Sequence, residues 1–291
     1  MRTVELLHLQ SKIEAQARDL HVPTQMVLRN YLFERLLERI SVSPWREKII
    51  FKGDMLVGTL LGTRRRMPKN PEAPTPTVIP GFNLTVDDAE SIFASLVATD
   101  VGDEVFFTLL ETEPIREAAE YPSIRAHLLA EHGPMRLAFT VDMTAAEAVV
   151  PDTLAFGYAL MFENRYISLF AYPPALCLAE KLEAIISRGP RYVRMRDYYD
   201  VFVLWKTRCQ ELDTHQVSRA LHAVAEERGS AEALSRYHDQ MRAVAESFLM
   251  QQQWESYQMR CELARDISLN ELCALVRDIM KAVEWPAYAS K

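Results

Sequence analysis

Between Leu178 and Trp205 the chain reads Leu-Ala-Glu-Lys-Leu-Glu-Ala-Ile-Ile-Ser-Arg-Gly and then Arg-Tyr-Val-Arg-Met-Arg-Asp-Tyr-Tyr-Asp-Val-Phe-Val-Leu-Trp. Lys181 lies in the first segment, and Arg196, Asp197 and Asp200 form an Arg-Asp-x-x-Asp cluster in the second. Charges set among core-forming Leu, Ile, Tyr and Trp point to convergence on a ligand. The chemistry this set could serve is that of a phosphate and its metal ions, since lysine is a point cation and carboxylates are hard ligands. The same residues have plainer uses. A lysine beside a Leu178/Leu182/Ile185 stripe can snorkel to solvent. Arg196 and Asp200 at i,i+4 can form an intrahelical pair, and acidic residues suit a helix start. A further carboxylate, Asp142, ends the apolar run Leu-Ala-Phe-Thr-Val-Asp-Met, where its plain use is to form a turn.

These residues need elements to position them. Pro173-Pro174 opens a helix around Lys181 that Gly189-Pro190 closes. The spacing predicts further helices over 196–207, 214–227, 231–252 and 269–283. Upstream, two helices fill the first fifty residues. The second starts at Val22-Pro23-Thr24 and carries one buried stripe through Val27, Leu28, Tyr31, Leu32, Leu36, Leu37 and Ile40. Ile49 to Gly53 is a short entry into a helix over 55–61, followed by a loop rich in proline (Pro68, Pro71, Pro74, Pro76). Strands are expected over 77–79, 105–111, 124–130, 135–143 and 166–172, with a helix over 87–98 and a turn at Gly133-Pro134. The pattern is α+β: a small mixed or antiparallel sheet flanked by helices, then a helical half. The expected divisions are a helical segment 1–48, an α+β core 49–172 and a helical domain 173–291.

Composition narrows the partners. Apolar residues make up 49 % and charged residues 25 %, ordinary globular usage. The net charge of −7 means that any nucleic-acid contact rests on a local patch, either Arg64-Arg65-Arg66 or the group Arg188, Arg191, Arg194 and Arg196. No helix-turn-helix is recognisable, and no stable DNA binding is expected. Cys177, Cys209, Cys261 and Cys273 are scattered without metal-ligand spacing, which suits a reduced, cytoplasmic protein. No apolar run approaches the roughly 20 residues of a membrane span, and His127 and His222 read as packed or surface residues rather than ligands.

The order of these segments resembles the AbiEii/AbiGii-type nucleotidyltransferase toxins of type IV toxin–antitoxin and abortive-infection systems. The resemblance is carried by the Leu-Arg-Asn-Tyr-Leu-Phe-Glu-Arg segment, the Phe51-Lys52-Gly53 turn, the stretch before Pro173, the Lys181 helix and the Arg-Asp-x-x-Asp helix. It reaches to about Lys206, and the remaining bundle matches only as generic helix. It implies a polymerase-beta-like core that moves a nucleotide from an NTP, with Mg²⁺ or Mn²⁺, to an RNA (tRNA above all) or protein acceptor, and a cognate antitoxin as partner. In that scheme a Gly-Ser-type turn meets phosphates and an Asp-x-Asp pair with a third Asp holds two metal ions. Carried over, Lys52, Gly53, Asp54, Arg66, Lys181 and Arg196 would contact nucleotide. Asn70, Glu72 and Asp142 would hold metal, and Asp142, Lys181, Asp197 and Asp200 would serve catalysis.

The chain departs from the pattern twice. Asp54 replaces a small residue where phosphates dock, and Asn70-Pro71-Glu72 stands at the Asp-x-Asp position, a poorer metal pair. Three explanations follow: a degenerate enzyme that keeps nucleotide binding, a working enzyme with relaxed metal use, or a shifted register. The alternative to a transferase is therefore a module of the same fold that binds nucleotide, RNA or a partner protein without turnover.

Overall fold

Alternating apolar residues with β-branched and aromatic side chains build strands among the helices of the first part of the chain, and helix-period stripes build the rest. The structure, a computed structural model, describes residues 2–61, 77–80, 84–115, 123–144, 154–208 and 212–286. It divides into two compact units, Met1–Thr59 with Met67–Tyr172 and Leu60–Arg66 with Pro173–Lys291.

The first unit opens with helices α1 (Arg2–Leu20) and α2 (Thr24–Val42), followed by strand β1 (Ile49–Lys52), helix α3 (Asp54–Leu60), strand β2 (Thr77–Pro80) and helix α4 (Val86–Val97). Strands β3 (Phe106–Pro114), β4 (Ser123–His132), β5 (Met135–Thr144), β6 (Leu154–Ala159) and β7 (Tyr166–Ala171) complete it. The seven strands form one mixed sheet in the order β3-β4-β5-β2-β1-β7-β6. β1 runs antiparallel to β2 and parallel to β7, and β2 runs parallel to β5. The architecture is α+β and nucleotidyltransferase-like. Strand β6 was not anticipated: its Leu-Ala-Phe-Gly-Tyr-Ala sequence offers small residues and a glycine in place of a β-branched run.

Helix α2 differs from its single-stripe expectation. From Tyr31 to Ile40 it is buried all the way round, including Glu34, Arg35, Glu38 and Arg39. Leu32, Phe33, Leu36 and Leu37 are fully enclosed, and the Phe33 ring lies 6.0 Å from that of Phe51 on β1. The buried charges are tolerated because they are paired. Arg35 bonds Glu34, Glu38 and Glu163, and Arg39 forks onto both oxygens of Asp103 at 2.9 Å.

The second unit is helical: α5 (Pro174–Arg188), α6 (Met195–Arg208), α7 (Thr214–Glu227), α8 (Ala231–Ser235), α9 (Tyr237–Glu246), α10 (Phe248–Arg260) and α11 (Leu269–Ala282). Gly189 ends α5 at φ +53 and ψ −135, a backbone conformation that strains any residue with a Cβ. The single helix expected over 231–252 is broken at Arg236 and again at Ser247, which is extended and caps α10 with its side chain at Met250 N–H. Among the described residues no helix is long and apolar enough to cross a membrane.

Candidate active site

In the helical unit the apolar stripe of α5 brings Lys181 against the first two turns of α6. There its ammonium donates to Asp200 Oδ2 at 2.9 Å and to Asp197 Oδ1. All three groups are buried: Asp200 is 0 % exposed and Lys181 9 %. Tyr192, on the segment joining the helices, donates its hydroxyl to the other oxygen of Asp197 at 2.5 Å. Burial pushes the Tyr192 hydroxyl well above its usual range and the Asp197 charge adds to the shift, so it stays protonated and remains a donor. Arg194 reaches the same Asp197 oxygen at 3.6 Å from an exposed position. One ammonium faces two carboxylates, an arrangement that holds the lysine rotamer, and the Arg194 guanidinium adds a second cation beside Asp197. Arg196 is half-buried on the same turn.

In the sheet unit, register supplies the geometry. Lys52 on β1 pairs with Thr77 on β2, Thr77 with Asp142 on β5, Asp142 with Arg125 on β4, and Arg125 with Glu113 on β3. Register partners point to one face, so Lys52 and Asp142 share a row roughly 10 Å apart by strand spacing. Arg125 grips Asp142 with both arms, Nε to Oδ1 at 2.8 Å and a terminal nitrogen to Oδ2 at 3.0 Å. That hydrogen bonding raises the Arg125 pKa. His127 and Glu113 pair beside them at 3.0 Å. At the end of β1, Gly53 turns the chain at φ +83, left-handed backbone that favours glycine, and Asp54 begins α3. Lys52 is nearly enclosed, with its ammonium 5.3 Å from the centre of the Tyr172 ring.

The strand–glycine turn–helix, the Asp142 row and the lysine held by two aspartates contain residues that the resemblance singled out. The comparisons identify the family. Residues 81–284 match the family described as "Nucleotidyl transferase AbiEii toxin, Type IV TA system". The chain belongs to this family. A search of curated proteins finds no match. Among solved structures, "JHP933 from Helicobacter pylori" is similar at a TM-score of 0.52 and 10 % identity, covering 90 % of this chain and 95 % of the other. A "putative nucleotidyltransferase from H. pylori" is similar at a TM-score of 0.52 and 10 % identity, covering 92 % of this chain and 100 % of the other. At that identity the likeness shows the fold alone.

The AbiEii match runs through the C-terminal bundle, further than the resemblance read from sequence, and it begins only after the Asn70-Pro71-Glu72 loop. Arg66, Asn70 and Glu72 lie outside the described residues. Lys181, Asp197 and Asp200 are brought together, while Lys52, Gly53, Asp54 and Asp142 are placed by the sheet. Asp200 is held from another helix, by the Lys181 ammonium of α5 at 2.9 Å. Sequence reasoning passed over Tyr192 and Arg125. Counting back from the two-residue Gly133-Pro134 turn would have set Arg125 opposite Asp142. Nothing in the spacing of Tyr192 marks it as the partner of Asp197.

Proposed function

We propose that this AbiEii-family chain transfers a nucleotide from an NTP to an RNA, with tRNA the first candidate, or to a protein acceptor, in a toxin–antitoxin or phage-defence setting. The observation that supports this best is the Lys181 ammonium, buried between Asp197 and Asp200 inside the matched segment. Lys181 and Arg196 contact phosphate oxygens in this reading, with Lys52, Gly53, Asp54 and Arg66 on the nucleotide. Asp197 and Asp200 fix the Lys181 rotamer or take up a proton.

The donor set fits a hard divalent ion. Asp142 offers two carboxylate oxygens, each with a lone pair left over after its hydrogen bond from Arg125. Asp142, with Asn70 and Glu72, would hold Mg²⁺ or Mn²⁺, which supplies charge stabilisation for in-line displacement. Asp142 enters this role already oriented by Arg125.

The test is incubation of the full chain with each α-labelled NTP, Mg²⁺ or Mn²⁺ and total tRNA, with chain-only reactions for self-labelling. Label on RNA or protein that disappears in Asp142→Asn supports the transferase. The Asn70-Pro71-Glu72 sequence favours a second reading, a module that binds nucleotide, RNA or a partner such as an antitoxin without turnover. NTP binding with no transfer under any metal would select it. Transfer that survives Glu72→Ala would show that the metal register lies elsewhere.

A further inference from the structure

β3 is an edge strand: β4 takes one side, and among the described residues no strand pairs with the other. Exposed edges invite pairing by other chains, and proteins usually blunt them with bulges, charges and proline. Here only the second half is blunted. The register shifts between Leu109 and Glu111, leaving Leu110 as the extra residue, and Glu111, Glu113 and Pro114 follow. The first half, Phe106 to Leu110, carries no charge, and it leaves Phe106 70 % and Leu110 56 % exposed. At β6, the opposite edge, the exposed positions among the described side chains are Ala155, Gly157 and Ala159, none of them large and apolar.

Beside the start of β3 lies a groove of about 670 Å³, lined by Leu6, Val97, Val105, Phe106 and Phe107 together with the exposed acids Asp100 and Glu104. Arg39, the cation in its lining, is committed to Asp103 and to the Val105 carbonyl at 2.6 Å. The groove therefore joins an apolar floor to an acidic rim, with polar groups in between, and Glu111 extends the acidic character along the strand. Such a surface complements a chain that offers backbone hydrogen bonds, an apolar side chain and positive charge.

We propose that Phe106–Leu110 and its groove form a docking edge for an extended, positively charged segment of a partner protein, which adds a strand to the sheet and seats an apolar residue in the groove. This is separate from the nucleotide chemistry, and the two stand or fall independently. The test uses the full chain and two synthetic ten-residue peptides, one alternating Lys and Val and one alternating Glu and Val, read by amide hydrogen exchange and calorimetry. The Lys-Val peptide should slow exchange within Phe106–Leu110, and its affinity should fall at least tenfold in the Phe106→Ser/Leu110→Ser double variant. Both positions are exposed, and circular dichroism confirms that the variant is folded. Equal protection by the Glu-Val peptide, or none at Phe106–Leu110, would overturn the proposal. So would concentration-dependent self-association that the double variant abolishes, since the occupant would then be a second copy of the chain.

Discussion

Two buried charge clusters, one in each unit, use different chemistry. Around α2, four carboxylates (Glu34, Glu38, Asp103, Glu163) meet three guanidiniums (Arg35, Arg39, Arg165). The Arg39 fork on Asp103 fixes the geometry, and backbone groups add to it: the Val105 carbonyl accepts from Arg39, and Met161 N–H donates to Glu34. Burial pushes the Glu34 carboxyl up to about 7, which brings the cluster near neutrality at physiological pH. Around α5 and α6, a single lysine serves two aspartates and a tyrosine closes the set. A guanidinium fork is rigid and directional, whereas an ammonium is a point charge with rotatable donors. The first cluster is built to stay as it is. The second holds a cation able to redirect its donors, which suits a site that meets phosphate.

The largest expected effect would break the first cluster. Arg39→Ala strands Asp103 without its fork and should cost about 3–5 kcal/mol in urea unfolding. A loss under 1 kcal/mol would mean the cluster is not a structural lock. Next comes pH. Because the folded Glu34 pKa is raised from 4.5 to about 7, its contribution to stability is complete below the lower value and lost as pH rises through the higher one. The span is on the order of 3 kcal/mol. Glu34→Gln should flatten the fall in stability between pH 5 and 8, and an unchanged slope would assign it to another group. Smaller still, Tyr192→Phe removes one hydrogen bond to a charged acceptor and should cost about 1.5 kcal/mol. Its effect on NTP affinity should be under threefold, since Tyr192 acts through Asp197. A larger loss would place the hydroxyl on the nucleotide itself.

The fold was legible wherever local pattern and tertiary context agreed. Pro23, Pro173-Pro174 and Gly189 marked helix ends that the structure keeps, and the alternating runs became β3, β4 and β5. β6 was missed because its small residues gain strand character only from pairing with β7. Ser247 was missed because a cap inside a helix-period run looks like one more polar position. The burial of the charged face of α2 lay outside the one expected stripe, because its partners, Asp103 and Glu163, lie 64 and 128 residues away. For the candidate site, Lys181, Asp197 and Asp200 could be singled out as residue types, but the contact joining them across two helices could not be read from intrahelical spacing. Arg125 was within reach through hairpin counting and was not sought.

The central claim is that the Lys181 cluster meets nucleotide phosphate. Calorimetric titration of NTP, with Mg²⁺, into folded wild-type chain and into folded Lys181→Ala tests it most directly, whether or not the chain turns substrate over. Removing a charge-assisted contact worth about 1.5–3 kcal/mol should weaken binding roughly ten- to a hundredfold. Equal affinity in the two proteins would contradict the assignment and leave Lys181 as a structural ion pair.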